Sequence, residues 1–185
     1  MFQQLLQKIA TALDKKQIPY MLIGGQAVLL YGEPRLTRDI DVTLDARVDK
    51  LADLLQIIQE LKWQVLVQDP EAFVQQTMVL PVLDPETQIR IDFIFSYTPY
   101  EHQAMQRVKK VKIGNVWVRF ASPEDLIIHK IIAGRPRDFE DVRGILLKNC
   151  NMDKSYIIDW LKQFEDALQQ PYVSQFEKLW KEVYG

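Results

Sequence analysis

The segment DIDVTL at residues 39–44 alternates strictly between polar and apolar side chains. A period of two predicts a strand whose aliphatic residues share one face, while Asp39 and Asp41 share the other. Aspartate is a poor strand former and is rarely buried without a partner. The two aspartates on one strand face therefore constrain the fold: that face of the sheet must provide them with a group that compensates their negative charge.

A second segment, QIRIDFIF at residues 88–95, repeats the pattern. Its bulky apolar residues share one face, and Arg90 and Asp92 lie on the opposite face. If this strand lies beside the first, Asp92 converges with Asp39 and Asp41. Three clustered carboxylates repel one another unless a cation joins them. Hard oxygen ligands favour Mg²⁺ or Mn²⁺, so we predict a site for one of these ions.

Gly24 and Gly25 follow the short apolar run Tyr20–Ile23, which predicts a buried strand that ends in a glycine turn and a short helix. A glycine pair lets the backbone approach a ligand closely. The N–H groups that open the following helix are suited to phosphate. Carboxylates for a metal beside a phosphate cradle favour phosphoryl or nucleotidyl transfer.

The stretches GGQAVLLYGEPRLTRDIDV and IRIDFIF together resemble the nucleotidyltransferase superfamily with the DNA polymerase β-type fold. The residues that match its motif are Gly24, Gly25, Asp39, Asp41 and Asp92. The resemblance covers about residues 18–145 and implies an α/β (α+β) fold, with a mixed, mostly antiparallel sheet flanked by helices. The chain departs from the wider pattern at position 25, where glycine replaces serine, a variant that antibiotic nucleotidyltransferases share.

The later stretch SPEDLIIHKIIAGRPRDFEDV is similar to the AbiEii-like and MenT-like branch, whose members are toxins of toxin–antitoxin systems. The resemblance implies that Lys130 and Asp138 complete the site, with Asp141 close behind. From the residues alone, Lys130 falls within an apolar helical arc, so it either extends outward to solvent or faces a cleft. Asp138 is equally suited to the site and to a helix cap, and Asp141 is better suited to a cap.

The resemblance implies an enzyme that moves an NMP from an NTP to an acceptor hydroxyl and releases pyrophosphate. Asp39 and Asp41 would hold two Mg²⁺ (or Mn²⁺) ions. Asp92 would complete the coordination of one of these ions and act as general base. The triphosphate would lie against the glycine pair, with Lys130 as a phosphate ligand. Arg38, like its neighbour Arg35, is either a phosphate ligand or a solvated arginine.

The sequence leaves open which class of molecule accepts the nucleotide, and whether the protein transfers one at all. The toxin branch favours tRNA or protein as the acceptor and implies a cognate antitoxin as a further partner. One alternative is a small-molecule adenylyltransferase of the aminoglycoside or lincosamide type, which needs an acidic pocket for a cationic drug. Another is a catalytically silent NTP-binding or antitoxin-like module.

Composition limits the remaining classes of function. The net charge of −2 provides no global attraction to nucleic acid or anionic membranes. The one cysteine and two histidines show no spacing typical of a zinc site, and a single cysteine excludes an intrachain disulfide. The amphipathic N-terminus lacks the apolar core of a signal peptide, and no run is long enough to span a membrane. We therefore expect a cytoplasmic protein.

Two parts are predicted along the chain: a catalytic core over residues 1–121 and a helical C-terminal portion over 122–185. Within the core, strands are expected at 64–67 and 73–82, and a hairpin turns at Gly114–Asn115. The hairpin and its flanks carry a basic cluster that suits either RNA contact or protection of a sheet edge. Its members are Arg107, Lys109, Lys110, Lys112 and Arg119.

Overall fold

The protein is described by a computed structural model that covers residues 2–185. Over this range it contains nine α-helices, seven strands and one 3₁₀ turn at Val48–Lys50. The helices are α1 (Phe2–Lys15), α2 (Gly24–Tyr31), α3 (Leu51–Glu60), α4 (Pro70–Thr77), α5 (Pro99–Gln106), α6 (Pro123–Ala133), α7 (Pro136–Lys148), α8 (Lys154–Leu168) and α9 (Tyr172–Tyr184). The strands are β1 (Tyr20–Ile23), β2 (Asp39–Asp45), β3 (Gln64–Val65), β4 (Val79–Asp84), β5 (Ile89–Ser96), β6 (Lys109–Ile113) and β7 (Val116–Phe120).

The strands form one sheet in the order β3-β4-β5-β2-β1-β7-β6. Two neighbouring pairs, β2 with β5 and β1 with β7, are parallel, and the other four pairs are antiparallel. The predicted mixed, mostly antiparallel sheet flanked by helices is therefore confirmed. The β6–β7 hairpin and its turn at Gly114–Asn115 also match the prediction.

The order of the strands places β2 at the centre of the sheet, between β1 and β5. Its aliphatic residues Ile40, Val42 and Leu44 are fully buried, as the alternation predicts. The parallel register sets Asp41 directly opposite Asp92. The two strands that carry the acidic residues are thus neighbours, as the convergence of Asp92 with Asp39 and Asp41 requires.

The strand expected over residues 73–82 is wrong in its first half. Residues 70–77 form α4, and the strand β4 begins only at Val79. Asp69 caps this helix by accepting a hydrogen bond from the Ala72 N–H at 3.0 Å, and Pro70 occupies its first turn. A capped start with proline favours a helix even where apolar residues resemble a strand. The expected strand at 64–67 is shorter than predicted and ends at Val65.

The C-terminal helices contact the core at α2, and α8 also packs against Tyr100 of α5. Both α6 and α7 pack against α2, and α8 and α9 pack behind them. The Tyr31 hydroxyl donates to the Ala121 carbonyl at 2.8 Å, and Lys148 Nζ donates to the Gly32 carbonyl at 2.9 Å. The division at residue 121 stays a prediction, but these contacts bring α6 and α7 next to the loop that precedes β2.

No helix in residues 2–185 has both the length and the apolar character needed to cross a membrane.

Candidate active site

A cleft of about 520 Å³ opens where β1, the loop before β2 and the start of α7 meet. Its lining brings together most of the predicted site residues: Gly24, Gly25, Arg38, Asp39, Asp41, Lys130 and Asp138. The lining also contains Arg35, Leu36, Thr37, Arg135 and Arg137. The remaining predicted residue, Asp92 on β5, lies beside Asp41 of β2 but outside this lining.

The carboxylate of Asp41 lies against the turn at the end of β1. Gly24 adopts a φ of +62°, and a Cβ atom there would come within 1.8 Å of Asp41 Oδ2. Only glycine combines this left-handed backbone with so close an approach. The glycine pair therefore brings the first turn of α2 and the strand that carries Asp41 into direct contact.

Gly25 is required for a different reason. A Cβ at this position would lie 2.3 Å from the hydroxyl oxygen of Thr37. That hydroxyl is within hydrogen-bonding distance of the Asp39 Oδ1 at 3.2 Å and of its backbone carbonyl at 3.3 Å. Thr37 is almost fully buried, so its contact fixes the direction of the Asp39 side chain. The space beside Gly25 is thus filled by a group that orients Asp39.

Among the three clustered aspartates, Asp41 is the one whose pKa is raised by the cluster. Burial, together with the neighbouring carboxylates of Asp39 and Asp92, raises the pKa of Asp41 to about 6. Lys130 and Arg135 act in the opposite direction but do not cancel the effect. A cation bound to these carboxylates would remove the repulsion between them.

Asp92 is held by its neighbour on the same strand. Arg90 Nε donates to Asp92 Oδ1 at 2.8 Å, and the register places Arg90 directly opposite Asp39. Within residues 2–185, no three Asp, Glu, His or Cys side chains are already arranged as a metal cage. The donor set of Asp39, Asp41 and Asp92 nevertheless matches the all-oxygen preference of Mg²⁺ or Mn²⁺, and the raised pKa of Asp41 marks where positive charge is needed.

Opposite the aspartates, α6 and α7 provide a wall of buried ion pairs. Lys130 Nζ lies 2.7 Å from Asp138 Oδ1 and 2.9 Å from Asp141 Oδ2, and all three side chains are at least nine-tenths buried. Asp138 also accepts from Arg135 Nε at 2.7 Å and from the Arg135 backbone N–H at 3.3 Å. Burial alone would raise the pKa of Asp138, but the hydrogen bonds from Arg135 and Lys130 outweigh it and lower that pKa.

Asp138 caps α7 and also lies in the wall of the cleft, so its two expected positions are one and the same, while its role in catalysis stays a prediction. It reaches back to the N–H of Arg135 at the start of α7, and it pairs with Lys130 in the wall of the cleft. Asp141, for which a capping role was favoured, is instead a buried ion-pair residue that contacts Lys130 and Arg35. Lys130 faces the cleft rather than solvent.

Several residues of the cleft were not assigned from the sequence. Thr37, Arg135 and Arg137 are the main ones. Thr37 gave no signal, because it lies in the irregular loop before β2, where the alternation of the strand does not apply. Arg137 gave no signal either, because it comes from α7, 101 positions from Leu36, whose carbonyl accepts from its Nη2 at 3.3 Å.

A family model described as "Nucleotidyltransferase of unknown function (DUF6036)" matches residues 1–184. The chain belongs to this nucleotidyltransferase family. The match supports the superfamily resemblance, whereas the toxin branch within it stays a prediction. No curated protein matches the chain by sequence.

Solved structures share the family's fold. The solution structure of antibiotic-resistance factor ANT(2'')-Ia matches with a TM-score of 0.64 at 18% identity, over 90% of this chain and 94% of that one. A nucleotidyltransferase-like protein from Paracoccidioides brasiliensis matches with a TM-score of 0.54 at 19% identity, over 95% and 91%. Lincomycin-bound LnuA, a lincosamide antibiotic adenylyltransferase, matches with a TM-score of 0.54 at 16% identity, over 76% and 94%. At these identities the likeness establishes the fold.

Replacing Gly24 by alanine tests the contact between the glycine turn and Asp41. Gly134 has nearly the same φ, +65° against +62°, but no atom lies within 3.7 Å of a Cβ placed there. We expect Gly134→Ala to lower the free energy of unfolding by about 1–2 kcal/mol through backbone strain. Gly24→Ala adds the collision with Asp41 and should lower it by roughly a further 1–3 kcal/mol. Urea denaturation measures both, and equal losses would contradict the close approach.

The pH dependence of stability tests the strain on Asp41. Its pKa is raised, so between about pH 4 and 6 the folded state keeps a proton that the unfolded state has lost, and stability falls as the pH rises. Asp41→Asn removes this loss. With divalent cations chelated, it should raise the free energy of unfolding at pH 8 by about 1–3 kcal/mol. The gain should vanish near pH 4.

The exposed Asp166 provides the matched control. Asp166→Asn should change the free energy of unfolding by less than about 0.5 kcal/mol at both pH values. A gain at Asp41 that is equal at both pH values would show that the ionised carboxylate is not the source of the strain.

Proposed function

We propose that the protein transfers an NMP from an NTP to an acceptor hydroxyl, with release of pyrophosphate, in a reaction that depends on Mg²⁺ or Mn²⁺. The observation that carries this proposal is the pairing of Asp39 and Asp41 with Gly24 in one cleft whose other wall is cationic. Carboxylates for metal ions on one side and basic groups for phosphates on the other are what nucleotidyl transfer needs.

The NTP would lie with its triphosphate between Gly24–Gly25 and the basic wall. Arg38 lines the cleft as an exposed residue, and Lys130 lines it as a buried one. Asp39 and Asp41 would hold the two ions, with Asp92 completing one of them. When bound, the ions supply charge neutralisation for the triphosphate and lower the pKa of the attacking hydroxyl.

In the transfer step, Asp92 would act as the general base. Arg90 engages its Oδ1, which fixes the carboxylate and leaves Oδ2 to take the proton of the acceptor hydroxyl. The acceptor oxygen then forms a bond to the α-phosphorus. The bond from the α-phosphorus to the bridging oxygen of the β-phosphate breaks, and pyrophosphate leaves with that electron pair. Thr37 keeps Asp39 in place throughout.

For the acceptor we favour tRNA or protein, in the role of a toxin with a cognate antitoxin. The similarity to the AbiEii-like and MenT-like branch supports this role. The charge of the cleft supports it as well, because its lining contains five basic side chains and three acidic ones. An excess of positive charge favours an anionic acceptor such as tRNA over a polycationic aminoglycoside.

A small-molecule adenylyltransferase is the second candidate. The observation that favours it is the shared fold with LnuA, a lincosamide antibiotic adenylyltransferase. The two candidates use the same carboxylates, so they differ only in where the nucleotide ends up.

Transfer of label tests the proposal. The purified protein is incubated with each α-³²P-labelled NTP and Mg²⁺ or Mn²⁺, in separate reactions with total tRNA, cell protein and the small-molecule fraction of the extract. We expect release of pyrophosphate and label in one acceptor class. The variant Asp39→Ala/Asp41→Ala should lose both, because it removes two of the three metal ligands, while Asp166→Asn keeps them.

The outcomes separate the candidates. Label on tRNA or protein supports the toxin role, and label on a small molecule supports the adenylyltransferase. An NTP that binds without any transfer under all conditions would contradict the enzyme and favour a silent binding module. Transfer that survives in the double variant would rule out the aspartates as the metal site.

A further inference from the structure

Five side chains of alternating charge form a continuous chain of ion pairs along one wall of the cleft. In order they are Arg35, Asp141, Lys130, Asp138 and Arg135. They come from the loop before β2, from α6, from the turn that follows it and from α7. We name this set the charge chain.

The inner three members of the charge chain, Asp141, Lys130 and Asp138, carry two negative charges and one positive charge. The Lys130 ammonium contacts two carboxylates at 2.7 and 2.9 Å and is only 5% exposed. With the arginines at its two ends, Arg35 and Arg135, the charge chain as a whole carries a net charge of +1. Arg135 is mostly exposed, whereas Arg35 is held inside the cleft with 21% of its side chain exposed.

Arg35 is oriented by Asp141 in a specific way. Its Nε donates to Asp141 Oδ1 at 2.9 Å and its Nη2 donates to Oδ2 at 3.1 Å. This two-point contact fixes the plane of the guanidinium, because the fork matches the geometry of a carboxylate. On the other edge, Nη1 donates one hydrogen to the Leu36 carbonyl at 3.4 Å and lies 3.6 Å from the position of a Cβ at Gly25, so its second hydrogen is the one left for a ligand.

The contact is not needed to attach the loop to α7. Arg137 already donates to the Leu36 carbonyl at 3.3 Å, and Lys148 donates to the Gly32 carbonyl at 2.9 Å and pairs with Glu33 at 3.1 Å. The loop is thus tied to α7 on both sides of Arg35. What the Arg35–Asp141 pair adds is the direction of one positive group that faces Gly25.

We propose that Arg35 binds the triphosphate of the NTP beside Gly25, and that Asp141 is a positioning residue that acts through Arg35. The proposal rests on the nucleotidyl transfer proposed above and adds a phosphate ligand to the same cleft. A guanidinium whose plane is already fixed loses little freedom when it meets a phosphate, so its orientation contributes to affinity.

Binding of inorganic tripolyphosphate with excess Mg²⁺, measured by isothermal titration calorimetry, tests this proposal without a known base or acceptor. Arg35→Gln should weaken binding by about tenfold or more, through loss of a charged contact to phosphate. This variant leaves Asp141 paired with Lys130, so it is expected to fold. Asp141→Ala should weaken binding by a smaller factor of roughly three to ten, because Arg35 is present but no longer oriented.

The double variant Arg35→Gln/Asp141→Ala distinguishes positioning from a merely structural role. If Asp141 acts through Arg35, the double variant binds no more weakly than Arg35→Gln alone. Glu182→Gln is the matched control. It breaks an exposed ion pair between Glu182 on α9 and Arg143, which lies on α7 like Asp141, and it should leave binding unchanged. If Asp141→Ala does not fold, Asp141→Asn replaces it, keeping one oxygen for Arg35.

Three results would overturn the inference. Unchanged tripolyphosphate binding by Arg35→Gln, with label transfer intact in the wild type, would reject Arg35 as a ligand and leave the proposed function standing. Additive losses in the double variant would reject the positioning role of Asp141. A wild type that neither binds tripolyphosphate nor transfers label would reject the proposed function, and this inference with it.

Discussion

The site depends on the repulsion between the carboxylates of Asp39, Asp41 and Asp92. The sheet holds these three residues next to one another, so they cannot move apart. Asp41 and Asp92 are opposite each other on adjacent parallel strands, and Asp39 is two residues from Asp41 on the same face. Strands in a sheet lie roughly 4.8 Å apart, so the backbone fixes these acids as neighbours. The pKa of Asp41, raised to about 6 by burial and by the other two carboxylates, is the direct consequence. A fold that keeps such a cluster has to supply positive charge to it.

The protein supplies part of that charge itself. Arg90 pairs with Asp92 from the same strand, and the wall formed by α6 and α7 brings Lys130 and Arg135 to the opposite side. Within the wall, Asp138 and Asp141 pair with Lys130, and the arginines at the two ends, Arg35 and Arg135, leave a net positive charge. The cleft therefore has fixed acids on one side and oriented cations on the other, which suits a ligand that is both metal-binding and polyanionic. An NTP with its divalent cations has this character.

Sequence patterns predicted the parts of the site that depend on local order. The period of two placed Asp39, Asp41 and Asp92 on one face of the sheet, and the glycine pair indicated a tight turn after β1, although the group that Gly24 approaches is Asp41 and the approach to phosphate stays a prediction. The pattern failed at α4, where the cap at Asp69 outweighs the strand-like residues that follow. The contact between Arg35 and Asp141 could not be predicted, since it joins residues 106 positions apart and requires α7 to pack on the loop before β2. The change in interpretation of Asp141, from a cap to an ion-pair residue, has the same cause.

The central claim is that Asp39 and Asp41 hold divalent cations for an NTP, and binding of Mn²⁺ tests it most directly. Equilibrium dialysis would measure the Mn²⁺ retained by the wild type and by Asp39→Ala/Asp41→Ala, with and without each NTP. The account predicts that an NTP increases the Mn²⁺ retained by the wild type and that the double variant loses this increase. Equal retention by the two proteins in the presence of every NTP would contradict the claim.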